Sequence, residues 1–233
     1  MRKIMTLCIL GSLLAVTATA QRISVGPEIG VTFNTLRTEW MDYDVDQSFN
    51  TGFKIGGIVD IRFSPGVSFQ PGVMFVTKGS ELKYTTTYTA NSIVYRERID
   101  QDLSISYLEI PLNIQFYLNP FRRSGFFIGG GPYLATAVGG EVDYRLTTRL
   151  QNGTIVEDVE DEYELEIGDD EEEDDIRRGD MGINLNLGYV GMRGFFFRAN
   201  AGIGLSNIVP GQDDDFSMRN TSYGLSVGYL FGR

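Results

Sequence analysis

Eight stretches of strict apolar–polar alternation, links that are alternately short and long, and an apolar face without charge predict an all-β chain: an eight-stranded antiparallel up-and-down transmembrane β-barrel. A period of two marks a strand whose faces meet different surroundings. An even strand number, with short turns on one rim and long loops on the other, is the pattern of barrels that cross an outer membrane. One Arg or Lys at the lipid midplane costs about 2–4 kcal/mol, so lipid contact demands an uncharged face.

The chain begins with Arg2 and Lys3, an apolar run from Ile4 to Val16 and the small residues Ala18-Thr19-Ala20. This order of charged, apolar and small segments reads as a signal peptide over residues 1–20, cleaved before Gln21 and leaving a barrel domain over 21–233. The run is too short for a comfortable transmembrane helix. Cys8 lies inside it and does not read as a lipid anchor. Of 20 basic and 31 acidic residues the mature chain loses Arg2 and Lys3, for a charge of −13, and it keeps no cysteine.

The strands follow in order. Ile23, Val25, Ile29, Val31 and Phe33 alternate with Ser24, Gly26, Glu28, Gly30 and Thr32. Phe53, Ile55, Val59, Ile61 and Phe63 face away from Lys54, Gly56, Asp60 and Arg62. Val67, Phe69, Val73 and Phe75 oppose Ser68, Gln70 and Gly72, with Met74 and Val76 as exceptions. The fourth run changes apolar phase: Leu103, Ile105, Tyr107, then Leu108, Ile110, Leu112, Ile114, Phe116 and Leu118, which predicts a β-bulge at Tyr107-Leu108. Phe126, Ile128, Leu134 and Val138 form the fifth; Met181, Ile183, Leu185, Leu187 and Tyr189 the sixth. Phe195, Phe197, Ile203 and Leu205 form the seventh, and Tyr223, Leu225, Val227, Tyr229 and Phe231 the eighth. Short turns fall at Ser64-Pro65-Gly66, Asn119 to Gly125 and Met192-Arg193; long loops are expected at about 35–50, 80–102, 139–179 and 209–220. No segment reads as helix.

The second face is mostly Gly, Ser, Asn and Gln, as suits the inside of a narrow eight-stranded cylinder. Its ions balance, Glu28, Asp60 and Glu109 against Lys54, Arg62 and Arg198, and are candidates for a paired network in the lumen. Tyr117, Phe127, Tyr133 and Phe196 are expected to fill that lumen, which disfavours a wide diffusion channel. Aromatics gather in two rows: Phe63, Phe126, Tyr189, Phe195 and Phe231 at the short-turn rim, and Phe33, Phe53, Phe75, Tyr107 and Tyr223 at the other. Such rows match interfacial girdles.

Tyr107-Leu108-Glu109-Ile110-Pro111-Leu112, followed by Gly130-Gly131-Pro132-Tyr133-Leu134, resembles the PorT-like outer-membrane β-barrel proteins. Gln70-Pro71-Gly72-Val73 and the closing Gly228-Tyr229-Leu230-Phe231 are similar to that family as well. The resemblance implies an eight-stranded barrel in a Gram-negative outer membrane, with outer-membrane lipid around it and the barrel-assembly machinery as partner during insertion. It also implies a possible envelope or secretion partner at the outer loops, since the namesake is associated with protein secretion. The acidic third loop departs from the family, and no residue-level functional motif carries over.

Composition narrows the chemistry. The excess of acids speaks against nucleic acid. The chain has no His, which removes His-based acid, base and nucleophile mechanisms and most zinc sites. Glu157 to Asp175 holds fourteen acids and no base; it reads first as a solvated loop extended by self-repulsion, and second as a site for divalent cations or a basic partner. Asp42, Asp44 and Asp46 begin like a calcium loop, but Gln47 stands where the turn Gly belongs and Phe53 where the bidentate Glu belongs. Asp213-Asp214-Asp215 has no ligand pattern. Gly129-Gly130-Gly131 lacks the Gly-Lys-Ser/Thr of a phosphate loop and reads as close strand packing. A carboxylate pair such as Glu28 with Glu109 is better explained by pairing to Lys54, Arg62 or Arg198 than by catalysis. The expectation is therefore a non-enzymatic outer-membrane protein with no catalytic, cofactor or metal residues, its termini periplasmic, and a structural or partner-binding role. Two alternatives stand beside it: a soluble secreted barrel with Ile55, Val73 and Leu185 turned toward an apolar ligand, and a narrow solute or ion channel.

Overall fold

The computed structural model describes residues 22–40, 43–45, 48–90, 93–119, 124–170, 173–211 and 216–232. The expected signal peptide therefore lies outside the described residues. Twelve strands occur among them: β1 (Arg22–Trp40), β2 (Tyr43–Val45), β3 (Asn50–Ser64), β4 (Val67–Ala90), β5 (Ile93–Tyr117), β6 (Gly125–Leu150), β7 (Ile155–Glu164), β8 (Ile167–Gly168), β9 (Ile176–Arg177), β10 (Gly179–Val190), β11 (Phe195–Gly204) and β12 (Phe216–Tyr229). No helix is present in that set.

Eight strands form the ring, in the order β1, β3, β4, β5, β6, β10, β11, β12, each antiparallel to its neighbours. The ring closes where β12 returns to β1, with Glu28 opposite Gly228 and Thr38 opposite Met218. Closure leaves no unpaired edge, and that is the condition for strands to stand in lipid. The alternation decides the faces. Ile29, Ile55, Val73, Ile110, Leu134, Leu185, Phe197 and Leu225 all stand on the outside and form an apolar belt. Ile55, Val73 and Leu185 are 48%, 53% and 54% exposed, so the soluble-barrel reading, which put them in a cavity, is reversed.

Aromatic rows border the belt. Phe126 packs edge-on against Tyr189, and Phe195 and Phe231 against Tyr229, at the short-turn rim; Phe53 lies beside Phe75 toward the other. Tyr107 does not belong to that row. It is fully buried in the lumen, and so are Ile105 and, across the barrel, Leu36. The apparent phase change at Tyr107-Leu108 is therefore no bulge in β5: odd residues point inward on both sides of it. The phase changes because the upper lumen is apolar and the upper outer face is polar. A register shift does occur beside it, but on the partner strand: Ser106 pairs with Gly139 and Tyr107 with Ala137, leaving Val138 of β6 extra.

The long links are largely strand rather than loop. β4 and β5 stay paired from Thr77↔Ser106 to Ala90↔Ile93, β5 and β6 from Ser106↔Gly139 to Tyr95↔Leu150, and β7 adds to β6. A bilayer crossing takes about 9–11 residues, whereas these three strands have 24, 25 and 26. The surplus is a four-stranded flange that extends roughly 45 Å along the strands beyond the ring at the usual rise per residue. Glu157 to Asp175, expected as an extended solvated loop, is partly this flange. Its first residues are β7, every one of them exposed, and Glu166 and Asp175 then close a turn through paired backbone and carboxylate hydrogen bonds.

Candidate functional site

Among the described residues the buried and half-buried ions of the barrel gather in the lumen. The six expected from the sequence are all there, joined by Lys78 and Asp180. Four carboxylates thus meet four cations.

Near the short-turn rim, Asp60 accepts hydrogen bonds from Ser68 Oγ at 2.5 Å, from Gln70 Nε2 at 3.2 Å and from Tyr117 OH at 3.2 Å. Arg62 reaches it at 3.4 Å and lies over the Tyr117 ring. Further in, Glu28 is held by Lys54 Nζ at 2.6 Å and Arg198 Nη1 at 2.7 Å, and it accepts from Ser226 Oγ. Arg198 also donates to Gln70, which ties the two groups together. Toward the long-loop rim, Lys78 sits 2.9 Å from Glu109 and 3.1 Å from Asp180, between the rings of Tyr107 and Tyr133. Asp180 accepts further bonds from Ser206, Tyr133 and Asn220.

Charges withdrawn from water persist when they are paired and hydrogen-bonded, and each of these is. Small residues make the room. A Cβ on Gly188 would stand 2.4 Å from the Phe127 ring, and one on Gly228 2.3 Å from the Phe196 ring. Glycine on β10 and β12 is what lets both aromatics lie against the inner wall.

Two apolar clusters pack among the ions. Tyr117, Phe127, Val190, Phe196 and Leu230, with Ile58, Met74 and Val76, fill the short-turn side. Leu36, Ile105, Tyr107 and Tyr133 fill the other, where Ile176 and Ile208, from the links that precede β10 and β12, fold in over the mouth. Between them remains a cavity of about 40 Å³ lined by Glu28, Lys54, Lys78, Glu109, Asn113 and Asn186. Buried amide atoms of Asn113 and Asn186 with no protein partner make it a place for a few waters. Met74 and Val76, irregular in the sequence pattern, are lumen residues.

Glu28 and Glu109 are each held by cations rather than by one another, so they do not form a carboxylate dyad. Among the described residues no three acidic or thiol groups are placed to hold a metal. Of the calcium-like loop, Asp42 and Asp46 lie outside the described residues, as do Asp213, Asp214 and Asp215. Gly129, Gly130 and Gly131 lie mid-strand in β6, paired to β5 and β10.

Outside the ring the flange has its own charge pattern. Arg145 donates to Asp158 at 3.0 and 3.1 Å, and this hydrogen bonding holds the Asp158 carboxyl below its ordinary range. Burial pushes the Asp102 carboxyl up, against a hydrogen bond from Asn50.

Comparison with known proteins finds a family and several distant solved structures. No curated protein matches the sequence. Among solved structures, Ail, the attachment invasion locus protein of Yersinia pestis, aligns at 13% identity with a TM-score of 0.42 over 90% of this chain and 99% of its own; it was solved in complex with the heparin analogue sucrose octasulfate. OprG from Pseudomonas aeruginosa aligns at 9% identity, TM-score 0.40, over 91% and 96%. Neisserial surface protein A aligns at 11% identity, TM-score 0.32, over 90% and 97%. Residues 17–209 match the family described as outer membrane protein beta-barrel domain. That match spans most of the chain, and with a closed ring, an apolar belt and a filled lumen the protein belongs to this outer-membrane β-barrel family.

Proposed function

We propose that the protein is a non-enzymatic envelope component that works through its flange, with the barrel as its anchor. The observation that carries this reading is the division of the molecule. The lumen is neutral, paired and plugged at both ends, while the residues beyond the belt build a large exposed sheet. A cavity of about 40 Å³ between two apolar plugs speaks against an open solute path. In this reading residues 1–20 are a signal peptide, the barrel-assembly machinery inserts residues 21–233, the termini and short turns are periplasmic, and the flange stands outside the cell. The YLEIPL-type segment Tyr107 to Leu112 supports a PorT-like member, and hence an accessory role in protein secretion as the partner class to test first.

The test has two steps. Outer-membrane fractions are run boiled and unboiled, where a heat-modifiable band is expected; a protein soluble without detergent sinks the reading. Cross-linking in cells then compares the intact chain with one whose flange is shortened. Loss of partners with the folded barrel retained is expected, and an unchanged set of partners removes the flange from the function.

A further inference from the structure

The flange bears an arginine-lined groove on the face that continues the apolar belt. On β5 the even-numbered side chains look this way: Leu108 within the belt, and Asp100, Arg98 and Arg96 further along the strand. Past the shift at Val138, the odd-numbered residues of β6 share the face, so Asp100 pairs with Arg145, Arg98 with Thr147 and Arg96 with Arg149. With Thr85, Ile155 and Asp158 these side chains line a concavity of about 610 Å³.

Four arginines stand there against two aspartates, and both aspartates are taken. Arg98 grips Asp100 at 2.8–3.1 Å, and Arg145 grips Asp158 at 3.0–3.1 Å. Arg96 and Arg149 face each other across the ladder, and among the described residues neither is ion-paired or hydrogen-bonded to a carboxylate, although Arg149 lies near enough to Asp158 to favour its charged form. Like charges directly opposite on one face of an antiparallel pair destabilise it. An oxyanion shared between the two guanidiniums removes that repulsion and accepts their forked donors.

Height identifies the source of the anion. Arg98 lies ten positions beyond Leu108, about 33 Å along the strand and roughly 25 Å above the belt at the usual tilt. The headgroup layer of a bilayer is only about 5–8 Å deep on each side, so a phospholipid phosphate does not reach the groove. The groove nevertheless looks sideways over the bilayer, because its face is the belt's face. We propose that Arg96 and Arg149 bind a phosphate group borne on the saccharide chain of an outer-leaflet glycolipid. This deepens the proposed function and rests on the flange standing outside the cell.

The test uses the full chain in phosphatidylcholine nanodiscs, titrated calorimetrically with the deacylated, phosphorylated core oligosaccharide of a lipopolysaccharide. Saturable binding that weakens with salt is expected, with a loss of ~10-fold or more in the R96S/R149S variant. R96K/R149K keeps the charge without the fork and should fall between. The dephosphorylated oligosaccharide should not bind. Unboiled gel mobility confirms that each variant barrel is closed. Equal affinity of the native and R96S/R149S proteins, or no binding by the native protein, overturns the proposal. Binding of dextran sulfate through the same arginines without binding of the oligosaccharide overturns the glycolipid source in favour of a soluble polyanion. Both rims are open to solution in a nanodisc, so a negative result bears on the groove alone; labelling of a T87C variant on intact cells tests separately whether the flange is outside.

Discussion

Lys78 is the residue on which the upper lumen turns. It is 2% exposed, neutralises two buried carboxylates and lies between two tyrosine rings. Lys78→Met strands Glu109 and Asp180 without a cation, and the expected loss is about 3–5 kcal/mol, read as a lower urea midpoint for the heat-modifiable band. Lys83→Met, at an exposed pair with Glu81, should move that midpoint by less than about 0.5 kcal/mol. Gly228→Ala tests the aromatic packing: its Cβ meets both the Phe196 ring and the Pro27 carbonyl, so a cost of about 1–3 kcal/mol is expected in the same assay. Six of the eight lumen ions were legible in the sequence because each occupies the polar phase of a regular apolar alternation. Lys78 was not, since the flanking Thr77 and Gly79 carry no apolar signal, and Asp180 sits likewise at the start of its strand behind Gly179.

At the scale of elements, the flange and the belt separate cleanly. Leu185→Arg puts a charge on the belt and should cost about 2–4 kcal/mol if Leu185 lies near the midplane, measured by refolding into vesicles. Replacing residues 84–99 with an Asn-Gly turn leaves the Lys83↔Asp100 pair to close the hairpin, and the heat-modifiable band should survive.

The docking of β7 carries a pH signature. Asp158 titrates below its ordinary value because Arg145 bonds its ionised form, so the contribution of that pair is present above the ordinary carboxylate range and is lost as pH falls through the lowered value. Acid also relieves repulsion among the other carboxylates of β7, in native and variant proteins alike. The difference between native and Asp158→Asn proteins isolates the pair: slower exchange of β7 amides in the native protein at pH 7, converging with the variant once the pH has fallen through the lowered value of Asp158. A difference that persists in acid refutes the ion pair as its source. The flange looks like loops in the sequence because alternation reports a change of environment across a strand. Above the belt both faces of β4, β5 and β6 meet water, so the pattern fades while the hydrogen-bonded ladder continues.

As a whole molecule this is a closed ring whose lumen is filled by paired ions and two apolar clusters. Planar-bilayer recordings should show no open-pore conductance; a stable ohmic channel from purified protein overturns the plugged lumen. The chain's own amino acids determined the number of ring strands, the two alternating faces and the small-residue lining, because period two is local. Only the tertiary structure decided which ions meet. Glu28 and Arg198 are 170 positions apart and come together through the closure register of β12 on β1. It also decided that the two apolar sets of β5 lie on opposite faces of one continuous strand. A sequence records that a face has changed character, and the closed ring alone says whether the backbone or the surroundings made the change.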